Sequence, residues 1–339
     1  MQFSRRQVMR WGAGAVAAGT GGFVGVTVDA QGKPAVNMQL GWLLSGNQLG
    51  EACAKQLGFY DQEGIALAFQ PGGPSIDGVA IVASGKFEVG QVSSSPSLML
   101  AVSQGIPIKC FAVGAQQHPY TFFSLKKNPI REPKDLIGKK VGIQATGVIL
   151  LKALLAKNKI DEKQVTIVTS GADMTPLMTG QVDCFTGWST NTTALKVLGD
   201  QRVDLKLWDT GVRLYANPYY ATADTLSGKR DMLVRFLRAA SRGWAYAYDN
   251  RDKAIALLMQ EFPNLNAADE RAAADVMLSY CFDAGTKLAG YGTMDAKVWQ
   301  DQIDTWSQLG QFSKRTPKVD EVMTLDILNA TQDSRPKVG

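Results

Sequence analysis

Short apolar runs alternate with stretches of helical period from Val36 to Thr222, and the alternation starts afresh near Tyr120. Strands met one at a time, with helical stretches between them, point to parallel sheets covered by helices on both faces. The first set of expected strands is Val36–Trp42, Ile65–Gln70, Phe87–Val92 and Ile108–Val113, separated by helices over Leu49–Phe59, Ser75–Ser84 and Pro96–Gln104. Gly58 and Gly64 mark one turn, and Pro71-Gly72-Gly73 stops the second strand. The second set is Tyr120–Leu125, Lys140–Gln144, Gln164–Thr169, Val182–Thr186, Leu205–Asp209 and Tyr219–Thr222, with helices over Pro133–Leu136, Gly147–Asn158, Met174–Thr179 and Thr193–Leu198. Beyond Gly228 the chain changes character, and five stretches have helical period: Arg230–Asn250, Lys253–Phe262, Ala267–Phe282, Asp295–Leu309 and Val319–Thr331.

Two restarts of one pattern predict an α/β fold of two lobes, each a mostly parallel sheet flanked by helices, with a cleft between them. The expected first lobe is 36–115 plus 222–339, with the C-terminal helices packed on it. The expected second lobe is 116–221, and the crossings fall near Gln116 and Tyr220. Residues 1–30 read as an export signal. Ser4-Arg5-Arg6-Gln7-Val8-Met9-Arg10 is a twin-arginine start, a glycine-rich apolar stretch follows, and Val28-Asp29-Ala30 offers small residues for cleavage. The apolar stretch ends without a charged stop-transfer block, so the mature chain is expected to be periplasmic.

Removing Arg5, Arg6, Arg10 and Asp29 lowers the formal net charge from +5 to about +3. That near balance, with no polybasic block, argues against a nucleic-acid partner. Cys53, Cys110, Cys184 and Cys281 are widely scattered and read as buried thiols. His118 is the only histidine, which removes metal sites built on several imidazoles. No metal, cofactor or catalytic constellation is expected.

Ligands of parallel sheets sit beyond the carboxyl ends of the strands. The candidate contacts there are Trp42, Ser45, Asn47, Gly73, Ser93, Ser94, Ser95, Gln117, His118, Thr146, Trp188 and Asn191. They are hydroxyls, amides and aromatic rings rather than carboxylates, which suits holding a polar small molecule by hydrogen bonds and stacking. Each also has a plainer role: Gly72-Gly73 as a tight turn, Ser95 before Pro96 as a helix cap, His118 before Pro119 as a hinge residue. Trp244, Tyr246 and Tyr248, like Trp299 and Trp306, lie on long helices and read as packing.

Four segments in order carry a family resemblance. They are Leu57-Gly58-Phe59-Tyr60-Asp61-Gln62-Glu63-Gly64-Ile65, Gln70-Pro71-Gly72-Gly73, the run from Ile130 to Gly142, and Gly180-Gln181-Val182-Asp183-Cys184-Phe185-Thr186-Gly187-Trp188. From about Met38 to Leu309 the chain resembles the solute-binding proteins of ABC importers, in the nitrate/sulfonate/taurine (NitT/TauT-like) family that includes binders of thiamine pyrimidine precursors and riboflavin. The resemblance implies the type II periplasmic-binding-protein fold, a monomer that closes on its solute by hinge motion, and a cognate membrane permease. It also maps a ring-stacking tryptophan onto Trp42. Where relatives often read "TNEP", this chain has Thr190-Asn191-Thr192-Thr193, so the usual acidic position is Thr192. That departure puts a pyrimidine in doubt and leaves riboflavin, another flat heteroaromatic, or an anion such as a sulfonate or nitrate open. Sulfonate sites usually offer a positive group, and the expected strand ends carry no arginine. A flat, uncharged solute is therefore preferred. The same family resembles a pyrimidine synthase, but that enzyme needs clustered cysteines, which this chain lacks. A sensory receptor remains a further alternative.

Overall fold

The computed structural model describes residues 32–73, 76–171 and 173–339; the expected export segment, residues 1–30, lies outside them. Among the described residues, ten strands form two five-stranded sheets. They are β1 Ala35–Gln39, β2 Ala66–Gln70, β3 Val89–Gln91, β4 Ile108–Ala115, β5 Tyr120–Leu125, β6 Lys140–Ile143, β7 Thr166–Thr169, β8 Cys184–Trp188, β9 Arg202–Lys206 and β10 Ala216–Thr222. Helices α1 Leu49–Gln56, α2 Phe59–Gln62, α3 Gly78–Ala83 and α4 Ser95–Ser103 accompany the first strands, and α5 Val148–Lys157, α6 Thr175–Met178 and α7 Thr192–Leu195 the second set. The remainder is helical: α8 Ala223–Gly228, α9 Arg230–Asp249, α10 Arg251–Glu261, α11 Ala267–Cys281, α12 Ala284–Ala289, α13 Ala296–Gln308, α14 Val319–Val322 and α15 Asp326–Ala330. Among the described residues no helix is long and apolar enough to cross a membrane.

The first sheet has the order β2-β1-β3-β10-β4 and the second β7-β6-β8-β5-β9. Each holds three parallel neighbours, and each takes one reversed strand in its fourth place. β10 pairs antiparallel with β3 and β4, and β5 pairs antiparallel with β8 and β9. The expected mostly parallel sheets are therefore mixed, and the reversed strands adjoin the two crossings between the sheets. β10 lies in the first sheet along its whole length, so the expected lobe boundary at residue 221 falls inside a first-sheet strand. From that pairing we propose that the chain returns before Ala216.

Alternation sets the strand faces. Val36, Met38 and Leu40 are fully buried, and Met38 lies level with Phe69 on β2 and Val89 on β3. Helix α1 lies very close to α9 because glycines sit at the contact. A Cβ on Gly243 would come within 2.0 Å of the Gly50 carbonyl oxygen, and one on Gly50 within 2.1 Å of Trp244 Cγ. Trp244, Trp299 and Trp306 are wholly buried, as helical spacing suggested. The second sheet has a smaller core on one face, with Phe123, Phe185, Leu177 and Val182 at its centre. All four cysteines are buried free thiols.

Three of the departures from the local pattern have a plain physical cause. The expected helix Leu49–Phe59 breaks at Gly58, which adopts φ +70°. The strand expected at Leu205–Asp209 lies earlier, at Arg202–Lys206, because Leu207–Thr210 coils into a 3-10 turn ended by Gly211 in the left-handed region. The expected helix Val319–Thr331 is two short helices. Between them Met323 bridges to Cys110 and the Thr324 N–H donates to the Cys110 carbonyl at 2.9 Å, so pairing beside β4 overrides helical propensity.

Candidate functional site

At the carboxyl edge of the first sheet, β1 runs through Leu40–Ser45 into a 3-10 turn, Gly46–Gln48. Gly41 leaves no room for a side chain, since a Cβ there would lie 2.7 Å from the Gln91 carbonyl oxygen. The next residues turn outward: Trp42 is 44% exposed and Leu43 54%, beside Ile76 at 47%. A Cβ on Gly73 would sit in ordinary contact with both Leu43 and Ile76, 3.8 and 3.9 Å away. Gly72 is different. Its N–H donates to the Trp42 carbonyl at 2.9 Å, and a Cβ would clash with the Leu40 carbonyl at 2.3 Å. Gly72 is thus a packing glycine, while Gly73 lies against the exposed apolar side chains of Leu43 and Ile76.

The same edge also carries neutral polar groups. Ser45 is engaged as a cap: its Oγ accepts from the Asn47 N–H at 3.3 Å, and its own N–H donates to Gln48 Oε1. Gln48 Nε2 donates to Gln91 Oε1 at 3.2 Å, both side chains being buried. Gln91 Nε2 has no protein partner, nor has Gln39 Oε1 on β1 or Asn217 Nδ2 on β10. Ser93 and Ser94 are half-buried, and the Ser93 carbonyl accepts from the Asn217 N–H at 3.2 Å. Asn217 stands at φ +50°, a conformation that a non-glycine residue rarely holds without a reason. Ser95 departs from expectation. Ser94 is the N-cap of α4, and Ser95 is fully buried with its Oγ donating to Gln302 Oε1 of α13 at 2.5 Å. It faces the helical layer of the first lobe.

The second edge meets the first at the crossing after β4. His118 is buried, its Nδ1 accepts from the Tyr120 N–H at 3.2 Å, and the proton therefore sits on Nε2, which has no partner. Burial without a neighbouring carboxylate lowers its pKa to about 3, so the ring is neutral. Its ring packs edge-on against Trp188, the last residue of β8, at 5.2 Å between centroids. Trp188 is half-buried, in contrast to Trp42. Gln117 beside it is half-buried, Asn191 is the exposed N-cap of α7, and Thr146 lies in the 3-10 turn Ala145–Gly147. The Tyr120 hydroxyl reaches under that turn, where a Cβ on Gly147 would come within 2.0 Å of it.

Helix α11, read from the sequence as packing, joins the two edges. Glu270 Oε2 accepts from the Gly46 N–H at 2.7 Å. Burial raises the Glu270 carboxyl above the ordinary range, opposed by that backbone bond. On the other side, Asp269 pairs with Lys196 at 2.7 Å and its carbonyl accepts from Thr192 Oγ1 at 3.4 Å. At the far end of α11 the Tyr280 hydroxyl lies 2.9 Å from Ser189 Oγ, and the Tyr280 carbonyl accepts from the Gln116 N–H. Helix α11 thus brings one carboxyl, Glu270, to the first edge, while the Thr190–Thr193 segment carries none. No local signal marked Glu270. Gln91 had one, a carboxamide inside an apolar strand, and so had Asn217 before Pro218.

Two α/β lobes of matching strand order, joined by two crossings and with polar strand edges reaching a common helix, have the fold of periplasmic binding proteins. The periplasmic aliphatic sulphonate binding protein SsuA from Escherichia coli shares it, with a TM-score of 0.65 and 17% identity over 85% of this chain and 91% of that one. The chain belongs to the NMT1/THI5-like family, whose model matches residues 46–254. A 4-amino-5-hydroxymethyl-2-methylpyrimidine phosphate synthase from Legionella pneumophila is 28% identical over 240 residues, 69% of this chain and 75% of that protein. The riboflavin-binding protein RibY from Chloroflexus aurantiacus is 26% identical over 214 residues, 61% of each chain.

Proposed function

We propose that this chain is the exported solute-binding component of an ABC importer, and that it closes by hinge motion over a flat, uncharged heteroaromatic solute rather than acting as an enzyme. One observation carries the reading: the strand edges offer rings, hydroxyls and carboxamides, several with buried atoms lacking partners. Trp42 supplies an exposed ring face, and Gln91, Asn217 and His118 supply N–H donors that no protein group accepts. Buried polar groups are normally satisfied, so a solute with ring nitrogens and carbonyl oxygens would complete this set. The cations nearby are engaged, Lys196 with Asp269 and Lys206 over the Tyr280 ring, and Glu270 adds a carboxyl at Gly46. That balance disfavours a sulfonate or nitrate, the alternative within the same family. The expected partner is a membrane permease that receives the solute from the closed form, with the protein working as a monomer in the periplasm.

A thermal-shift screen of the protein against riboflavin, pyrimidine precursors of thiamine, taurine and nitrate tests the proposal. A solute at a hundredfold its dissociation constant adds about 2.7 kcal/mol of stability. A flat neutral compound should give that rise and leave solution unchanged. Stabilisation by taurine or nitrate alone, or turnover of the compound that binds, would refute it.

A further inference from the structure

Among the described residues of the first lobe, one buried carboxyl group has no cation beside it. Glu51 on α1 is wholly buried. The Tyr219 hydroxyl donates to its Oε1, the Tyr219 and Tyr291 hydroxyls lie 2.8 Å apart, and Oε2 has no partner. The groups that face it are Cys53 from α1, Tyr60 from α2, Trp244 from α9, Cys281 from α11, Tyr219 from β10 and Tyr291 from the α12–α13 loop. Burial pushes the Cys53 thiol up to about 12 and the other thiol and phenols well above their usual range, so all stay neutral. An unpaired carboxylate is strongly disfavoured in such surroundings and takes up a proton instead. Burial accordingly raises Glu51 to about 7, opposed by the Tyr219 hydroxyl, its own backbone N–H and the Trp244 indole.

Its place in the fold gives that proton a consequence. Gln48 and Glu51 are one helical turn apart, and they hold adjacent strands at one level. Gln48 bonds Gln91 on β3, Glu51 bonds Tyr219 on β10, and Gln91 is the register partner of Tyr219. β10 is the strand by which the chain returns from the second sheet, and the left-handed Asn217 lies two residues upstream of Tyr219. We propose that Glu51 is an uncharged acid in the closed protein and that its proton seats the hinge strand β10, so that losing the proton loosens the return crossing. A charged Glu51 needs water, and water reaches it only if α1, α9 and β10 part.

The sign follows from linkage. The folded acid holds its proton more tightly than the unfolded one, so its contribution is complete below pH 4.5 and is lost as pH rises to about 7. His118 acts oppositely: the unfolded chain takes a proton that the folded ring refuses, which lowers stability as pH falls below 6.5. Between pH 4.5 and 6.5 the two nearly cancel, so a flat wild-type profile is uninformative by itself. The difference between the protein and Glu51→Gln isolates Glu51, because Glu270 and His118 are common to both. Relative to wild type, Glu51→Gln should gain about 5 °C in Tm between pH 5 and pH 8, equivalent to roughly a seventyfold change in the folding equilibrium.

A Tm difference that stays constant from pH 5 to pH 8 overturns the proposal. Small-angle scattering checks the hinge: the radius of gyration should grow from pH 6 to pH 9 in wild type and not in Glu51→Gln, and equal growth in both contradicts it. Should Glu51→Gln not fold, the infrared carboxylic-acid stretch of the Glu270→Gln protein decides. A buried acid band present at pH 6 and gone at pH 9 supports the assignment, and no band at pH 6 overturns it. None of these measurements uses a solute, so their failure is separate from failure of the transport reading.

Discussion

In the first sheet the reversed strand, β10, is the last strand of the chain to be added; in the second sheet the reversed strand, β5, is the first. One strand plan is thus completed from opposite ends of the sequence, and both completing strands adjoin crossings. What lies against the two sheets differs. The first is buttressed by α1, α9 and the C-terminal helices, and contains a polar interior around Glu51. The second has an aliphatic and aromatic core, and its edge strand β7 is largely exposed. The comparison teaches that the first half is a tightly packed body around a buried acid, and the second a lighter one whose buried titratable ring, His118, sits at the crossing. The two tryptophans follow suit, Trp42 open on the first edge and Trp188 packed against His118 at the crossing.

The largest effect should come from crowding the first half. Gly243→Val puts branched carbons against the Gly50 carbonyl, which cannot move aside, and should cost about 3 kcal/mol or more in denaturant unfolding. The matching test in the second half is Gly147→Ala, where the obstacle is the tip of the Tyr120 side chain; about 1–2 kcal/mol is expected. Equal losses would erase the contrast. Next comes acid sensitivity at the crossing. His118→Asn should flatten the loss of stability below pH 6.5, sparing about 3 kcal/mol by pH 4 in pH-dependent unfolding.

The tryptophans sharpen the comparison further. Trp42→Ala should weaken solute binding about tenfold, worth about 1.4 kcal/mol, with the Tm nearly unchanged. Trp188→Ala should lower both affinity and Tm, because it leaves a gap beside His118. Loss of stability in the Trp42 variant but not in the Trp188 variant would invert the assignment. The smallest effect is expected for Lys196→Ala, which removes an exposed ion pair with Asp269 between α7 and α11; less than about 1 kcal/mol should appear, shrinking with added salt.

The strand plan was legible because each strand is a short apolar run closed by glycine, proline or a cap, and local pattern suffices for that. Strand direction was not. Nothing in the residues of Tyr120–Leu125 or Ala216–Thr222 says that they run against their neighbours, since pairing is decided by where the crossings lead. The same limit hid the break at Met323, which β4 imposes, and the burial of Ser95 against Gln302. Helix α12 went unread although Asp283 caps it, through the Thr286 N–H at 2.7 Å. At the site, residues just after strands could be named from sequence, but Glu270 and Tyr280 come from a helix whose position only the folded chain reveals.

The central claim is that two polar edges close on an uncharged, flat guest. Calorimetric titration with riboflavin, 4-amino-5-hydroxymethyl-2-methylpyrimidine and taurine tests it most directly. The account predicts saturable one-to-one binding of a flat compound and no heat from taurine; taurine binding, with both flat compounds silent, would contradict it.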